Sequence, residues 1–242
     1  MSTRNRGTQT IEVAVALRPM TRHRIQRVFF AVLIPSVLCM VALGGCNILG
    51  PAFYIIHGPE KTPAQYDLDK SRVTVVFIDD RMNRAPRRSL RIAAADAVEQ
   101  ELMQRGELPE ENVITTRAMM RLAAQEEFTA PMTIAEMGRT VGAEVVIYAT
   151  IDTWTLSPDG VSFTPGARVR VKVIDATNDV RLWPGDASGF PVVASLPPQT
   201  APLASSAQQD RTNLALANAL GIKIARLFFK HEKDSLSGEL DD

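Results

Sequence analysis

Apolar and polar positions alternate along this chain with two different periods, which predict strands and helices in turn. Residues 72–78 are β-branched and almost continuously apolar, which indicates a strand buried on both faces. Apolar residues at helical spacing follow, with Ser89 as the expected N-cap and Gly106 as the expected stop. Because a short apolar run at 112–115 comes next, the first three elements are expected to form a βαβ unit.

The middle of the chain predicts two helices and a second buried strand. Thr115 or Thr116 is the expected cap of the first helix, and Thr133 opens the second, which ends at Gly142. Residues 143–154 then form a long apolar strand.

The second half predicts antiparallel strands and a terminal helix. Between Val161 and Asp175, apolar residues alternate with cations. This alternation predicts a strand with one buried and one solvent-exposed face. A tight turn leads to a strand at 180–183, and a Pro- and Ser-rich loop with one short strand follows. Asp210 or Thr212 is the expected cap of a helix that runs to His231. The alternating cations are Arg168, Arg170 and Lys172.

The order β-α-β-α-α-β-β-β-α predicts a single α/β (α+β) domain of two or three layers. Its mixed sheet would begin with the βαβ unit, continue with antiparallel strands and end in the long C-terminal helix. We place this domain at residues 71–232, before a polar tail at 233–242. Upstream we expect a signal peptide at 1–45 and a lipidated N-terminus and tether at 46–70, part of which could pack on the domain.

The N-terminal region has the pattern of an export signal. A basic segment at 18–27 without acidic residues precedes an uncharged apolar segment at 28–45. The apolar segment is close to the length of a spanning helix, so an uncleaved anchor is the alternative; Pro35 and the pair Gly44-Gly45 favour cleavage. Residues 1–19 are unusual for a signal peptide, and Met20 is a more typical start.

The end of the apolar segment reads Leu43-Gly44-Gly45-Cys46, which resembles the lipobox of bacterial lipoproteins. The resemblance implies that Cys46 is diacylated and becomes the new N-terminus, since two or three acyl chains anchor a protein stably where one does not. A chance cysteine at the end of a transmembrane helix is the alternative. Asn47 in the next position implies the outer membrane, with the domain facing the periplasm.

The composition of the chain argues against several kinds of partner and site in the domain. Lys and Arg total 27 and Asp and Glu total 27, so a nucleic-acid partner is not expected. The two cysteines, Cys39 and Cys46, both lie in the N-terminal region, which leaves the domain without a disulfide, a cysteine zinc site or a cysteine nucleophile. Neither a Gly-rich phosphate loop nor a G-x-S-x-G turn is present. We therefore expect no cofactor, no metal and no enzymatic activity.

Two charged groups after the first strand are the candidate functional sites. Asp79 and Asp80 are adjacent carboxylates at a strand end, where α/β sheets often bind ligands; a turn or loop cap is the alternative. A dense cationic cluster follows, interpreted either as a solvated loop and helical turn or as a docking surface for an acidic partner or lipid headgroup. This candidate partner-binding cluster comprises Arg81, Arg84, Arg87, Arg88 and Arg91.

Two further groups admit a core or a binding interpretation. Trp154 and Trp183 lie on predicted strands, as core or sheet-edge residues or as a ligand box. Methionines concentrated around the second and third helices either fill the core or form an adaptable partner-binding groove. They are Met119, Met120, Met132 and Met137.

Four segments in this order resemble a known family of envelope domains. VTVVFIDD at 73–80 is similar to the family's opening strand, and LMQRG at 102–106 to the end of its first helix. MGRTVGAEVVIYATI at 137–151 and VRVKVIDATNDVRLWPG at 169–185 are similar to its later strands. These segments resemble the envelope lipoprotein domain shared by LpoB, PelC and the curli-secretion protein CsgG.

The family resemblance implies a non-enzymatic envelope lipoprotein that works by protein–protein contact. It would either regulate a cell-wall synthase, as activators of penicillin-binding proteins do, or form part of a periplasmic export assembly by self-association. An envelope enzyme or ligand-binding protein that uses the Asp79-Asp80 strand end is the alternative.

Overall fold

The computed structural model describes residues 61–125, 131–158, 162–198 and 205–232. The chain divides into two units at residue 59, and all described residues belong to the second unit. The predicted signal peptide, Cys46 and the polar tail at 233–242 lie outside the described residues.

The predicted mixed sheet is confirmed. In the described part of the chain, eight strands form one six-stranded sheet and one two-stranded ribbon. The strands are β1 (Lys61–Thr62), β2 (Thr74–Asp79), β3 (Val113–Ile114), β4 (Val145–Thr155), β5 (Gly166–Asp175), β6 (Val180–Trp183), β7 (Phe190–Ser195) and β8 (His231–Glu232). β2 lies between β3 and β4 and is parallel to both, whereas β5 runs antiparallel to β4. β6 and β7 both pair with β5, and β1 pairs with β8.

Helices cover both faces of the sheet, so the domain has three layers. The helices of the described residues are α1 (Arg88–Gln104), α2 (Thr116–Gln125), α3 (Ile134–Val141) and α4 (Ser206–Ala225), with short 3-10 turns at Glu110–Asn112 and Arg226–Phe228. α1 and α4 pack together on one face, and α2 and α3 pack on the other.

Strand alternation explains the two cores. Val76 and Ile78 of β2 face α1 and α4, whereas Val75 and Phe77 face α2 and α3. Each side chain buried in this way contributes about 1.5–3 kcal/mol to stability. Three methionines fill the core under α2 and α3, with exposures of 0–3%, while a fourth is partly buried against them. The buried ones are Met119, Met120 and Met137, and the fourth is Met132.

Several predicted helix boundaries need correction. α1 begins at Arg88 with Arg87 at the N-cap and no capping side chain, so the expected cap at Ser89 is wrong. α4 begins after Ser205, whose hydroxyl accepts the Gln208 amide, so Asp210 and Thr212 lie inside the helix. The helix also ends at Ala225, before the predicted end at His231.

Other helix signals are confirmed. Thr133 and Glu136 form a capping box at the start of α3. Gly142 at the end of α3 and Gly106 after α1 both adopt positive φ, of 86° and 70°, which glycine tolerates without strain.

The domain's chain ends meet at the C-terminal end of α1. β1 pairs with β8, and the amides of Gln65 and Tyr66 donate to the Leu227 carbonyl at 2.7 and 3.2 Å. The Arg105 guanidinium at the end of α1 lies 5.1 Å from the centre of the Phe229 ring. Residues 61–70, assigned to the tether, thus pack on the domain.

Candidate functional site

The chain reverses its direction across the sheet at β2. From β2 the chain passes through α1 to β3, and from β3 it passes through α2 and α3 to β4 on the other side of β2. Because the two connections cover opposite faces, a crevice opens where the parallel strands end. Such a reversal point is the usual ligand-binding place in open α/β sheets.

A cavity of about 270 Å³ lies at this point. Its floor is apolar and combines Phe77 of β2 with side chains of α2 and α3, among them Met120 and Met137. Its rim is charged. We call this cavity the arginine crevice, after the rim residues Asp79, Arg81, Arg88 and Arg91.

Asp79 is held at the rim by two partners. Its Oδ2 accepts a hydrogen bond from the Tyr148 hydroxyl at 2.8 Å and an ion-paired hydrogen bond from Arg81 Nε at 2.9 Å. Burial, together with the charge of Asp79, holds the pKa of Tyr148 well above its ordinary value of 10. Tyr148 therefore acts as a hydrogen-bond donor that fixes the carboxylate.

Asp80 points away from the crevice and holds the following loop. Its Oδ1 accepts the Arg84 amide and its Oδ2 accepts the Ala85 amide, both at 2.8 Å. Asp80 is only 6% exposed. The structure thus brings Asp79 alone to the crevice, and Asp80 fits the loop-cap alternative.

The sequence-derived arginine cluster is divided by the fold. Arg81, Arg88 and Arg91 line the crevice, and Arg88 Nη2 also donates to the Met120 carbonyl of α2. Arg87 turns to α4, where it pairs with Asp210 at 2.8 Å.

The remaining arginine, Arg84, is exposed on the loop, and its backbone amide belongs to the Asp80 cap. Three of the five predicted residues therefore share one site.

A second group of cations lies on the same face of the sheet as Asp79. Asp79 of β2 lies opposite Thr150 of β4, and Thr150 lies opposite Arg170 of β5. On the same pair of strands, Tyr148 of β4 lies opposite Lys172 of β5. Paired residues on neighbouring strands point to the same face. The alternation in the sequence predicts that β5 has a solvent-exposed face. The strand register is needed to show that this face adjoins the crevice.

Both tryptophans have structural environments. The indole of Trp154 is 9% exposed and donates to Asn213 Oδ1 of α4 at 2.8 Å. Trp183 packs between Tyr66 and Phe190, with ring centroids 6.1 and 5.0 Å away. These contacts support the core and sheet-edge interpretation over a ligand box.

Glu99 is a buried carboxylate that was not identified from the sequence. It lies on α1, is 6% exposed, and its Oε1 accepts the Thr116 amide at the start of α2 at 2.8 Å. Burial raises its pKa to about 7, against the lowering effect of that hydrogen bond. A glutamate on an amphipathic helix gives no sequence signal of burial, because its placement depends on how α2 packs.

Within residues 61–232, apart from the three undescribed gaps, no group of His, Cys, Asp and Glu could hold a metal ion. Among the helices that the structure describes, none combines the length and apolar character of a membrane span.

No protein-family model matches this sequence, and no curated protein matches it. Similar solved structures include the PelC dodecamer from Paraburkholderia phytofirmans, at 16% identity over 69% of this chain and 95% of that chain, with a TM-score of 0.37. Lipoprotein GNA1162 from Neisseria meningitidis is 14% identical over 60% of this chain and 96% of that chain, with a TM-score of 0.37. The LpoB C-terminal domain from Salmonella enterica is 12% identical over 52% of this chain and 83% of that chain, with a TM-score of 0.30. All three similarities are low in sequence identity and in TM-score.

Proposed function

We propose that this chain is a non-enzymatic envelope lipoprotein, anchored by lipid on Cys46, that works by protein–protein contact through the arginine crevice. The observation that carries the proposal is the composition of the crevice. Three arginines and one aspartate surround an apolar floor at the sheet end where α/β domains bind ligands. Cations around an apolar surface suit an acidic polypeptide, because Arg binds carboxylates through paired hydrogen bonds.

The lipid anchor is supported by the sequence Leu43-Gly44-Gly45-Cys46. Its position would place the domain at the periplasmic side of a membrane, most simply the outer membrane given Asn47. Since residues 61–70 pack on the domain, only residues 47–60 separate it from the lipid. These fourteen residues span at most about 50 Å.

Two forms of contact follow from the family resemblance. The domain would either regulate a cell-wall synthase or form part of a periplasmic export assembly. A span of about 50 Å keeps the domain close to its membrane. This short reach favours an assembly at the membrane over a synthase on the far side of the cell wall.

The alternative is an enzyme or ligand-binding protein that uses the Asp79-Asp80 strand end. The hydrogen bonds of the pair argue against it, since both Asp80 oxygens accept loop amides and Asp79 is engaged by Tyr148 and Arg81. Turnover of an envelope substrate that disappears in Asp79→Asn and Asp80→Asn would support the alternative instead.

Cross-linking in living cells tests the contact function. The full-length tagged chain is cross-linked, and its adducts are sized and identified by mass spectrometry. We expect defined adducts that are lost in Arg91→Glu, because reversal of charge at the crevice repels an acidic partner. Arg211→Glu is the matched control, since Arg211 is an exposed arginine on α4, on the other face of the sheet.

The adducts also distinguish the two forms of contact. A ladder of self-adducts that converges on one size would favour the export assembly, and a single adduct with a cell-wall synthase would favour the regulator. Adducts that persist unchanged in Arg91→Glu would contradict a role for the crevice.

A further inference from the structure

We infer that the arginine crevice receives the acidic C-terminal segment, residues 233–242, of a second copy of this chain. The inference rests on the proposed role of the crevice as a docking surface and names its occupant. It makes the contact between copies a head-to-tail one.

The charges of the crevice and of the segment are complementary. Among the described residues that line the crevice, three arginines against Asp79 give a formal excess of two positive charges. The segment KDSLSGELDD has one cation and four carboxylate side chains, those of Asp234, Glu239, Asp241 and Asp242. Charge of this kind both attracts a partner and selects its orientation.

Two of the three rim arginines meet no carboxylate among the described residues. Within the described ranges, Arg91 forms no ion pair, and the hydrogen bond that Arg88 makes is to a neutral backbone carbonyl. Only Arg81 meets a carboxylate of the rim, that of Asp79. A guanidinium in a partly enclosed site gains most from a carboxylate, because such charge-assisted bonds are about twice as strong as neutral ones.

The apolar floor fits the one large apolar residue among the segment's last four. Leu240 lies between Glu239 and Asp241, so an apolar side chain has carboxylates on both sides. The floor offers the partly buried Ile134 and the exposed Ala124 beside the buried Phe77. A leucine flanked by acids can therefore bury its side chain while its neighbours meet the guanidinium groups.

Geometry favours a second copy over the same chain. β8 lies at the C-terminal end of α1, whereas Arg88 and Arg91 lie at its N-terminal end, about 20–25 Å away along the helix axis. Leu240 is eight residues beyond Glu232 and can reach at most about 29 Å. To enter the crevice of its own chain, the C-terminal segment would have to be almost fully extended and pass to the opposite face of the sheet.

A contact between unlike ends of two copies is heterologous. Copies joined in this way close into a ring or extend into an open chain, depending on the rotation between neighbours. Among the two forms of the proposed function, this arrangement corresponds to self-association within an export assembly.

Site-specific photo-cross-linking tests the inference in the full-length, membrane-bound chain. A photo-reactive residue replaces Leu240 in one tagged copy, and a second copy carries a different tag. We expect cross-links from position 240 to residues 77–91 or 119–137 of the other copy, mapped by mass spectrometry. Their yield should fall about tenfold or more in Arg91→Glu and recover when Asp241→Arg and Asp242→Arg are added to the cross-linking copy.

Three results would overturn the inference. Cross-links within one copy, cross-links to residues away from the crevice, or a yield unchanged by Arg91→Glu each exclude this occupant. A photo-reactive residue in place of Ala124, which lines the crevice, distinguishes a wrong occupant from a wrong proposed function. If Ala124 captures another envelope protein and never the C-terminal segment, the inference is wrong while the docking function stands; if it captures nothing, both are wrong.

Discussion

At the scale of single residues, Glu99 links the stability of the domain to pH. Its carboxylate is buried between α1 and α2 beside Asp96 and Arg117, which form an ion pair at 2.7 Å. Burial is the largest cause of its raised pKa, Asp96 adds to the raise, and Arg117 opposes it. Native Glu99 therefore holds its proton to a higher pH than the unfolded chain does.

The sign of the effect follows from proton binding. With a pKa of about 7 in the folded state and 4.5 as the ordinary value, the native state binds more protons between these pH values. The free energy of unfolding must then decrease as pH rises from 4.5 to 7, by about 2–3 kcal/mol.

Glu99→Gln should remove this decrease in the free energy of unfolding. The amide carbonyl can still accept the Thr116 amide without burying a charge, so we expect the variant to be more stable than the parent at pH 8 and similar to it at pH 4.5. Urea unfolding at the two pH values measures the difference, with the exposed Glu110→Gln as the control. Equal pH dependence in parent and Glu99→Gln would contradict the buried-carboxylate account.

Helix caps are predictable from the sequence where both partners of the cap lie close together in the chain. The capping box at Thr133 and Glu136 is confirmed, because both partners lie within one turn. Asp210 resembled a cap, yet Ser205 takes this role and Asp210 pairs with Arg87 instead. Several residues near a helix start have capping side chains, and tertiary contacts decide among them.

At the scale of elements, the contact between α1 and α4 depends on one small residue. A Cβ added at Gly221 of α4 would lie 2.4 Å from the Ala94 carbonyl oxygen and 2.6 Å from the Ala97 Cβ. The two helices can approach this closely only without a side chain at position 221. Their junction is central to the larger of the two cores.

Gly221→Ala should destabilise the domain by about 1–3 kcal/mol, since overpacking against backbone outweighs the gain of up to about 1 kcal/mol in helix propensity. Urea unfolding measures the change. Gly185→Ala is the matched control, because nothing lies within 4 Å of a Cβ at that position, and it should change stability by less than about 0.5 kcal/mol. A more stable Gly221→Ala would contradict the close helix contact.

The elements themselves were largely predictable, but their assembly was not. Continuous apolar runs identify β2 and β4 as buried strands, and alternation identifies the wet face of β5. The order β3-β2-β4-β5 that opens the arginine crevice is a property of the sheet. The sequence therefore places five arginines in one cluster, whereas the fold directs Arg87 to α4 and joins only three at the crevice.

At the scale of the whole molecule, the start of the described chain and the arginine crevice lie at opposite ends of α1. The described chain enters at β1 beside β8, at the C-terminal end of α1, and the crevice lies at the N-terminal end of that helix. A domain tethered near β1 can present its crevice to another molecule, provided that the chain is anchored at Cys46. The proposed contact function therefore depends on lipid attachment at Cys46.

Metabolic labelling with a palmitate analogue, followed by membrane fractionation, tests whether Cys46 carries lipid. We predict that the parent chain and Cys39→Ser are labelled and sediment with membranes, because Cys39 lies upstream of the proposed cleavage site. Cys46→Ser should lose the label, since it removes the sulfur to which the proposed acyl chains would be attached. Label retained in Cys46→Ser, or absent from the parent chain, would contradict a lipid anchor at Cys46.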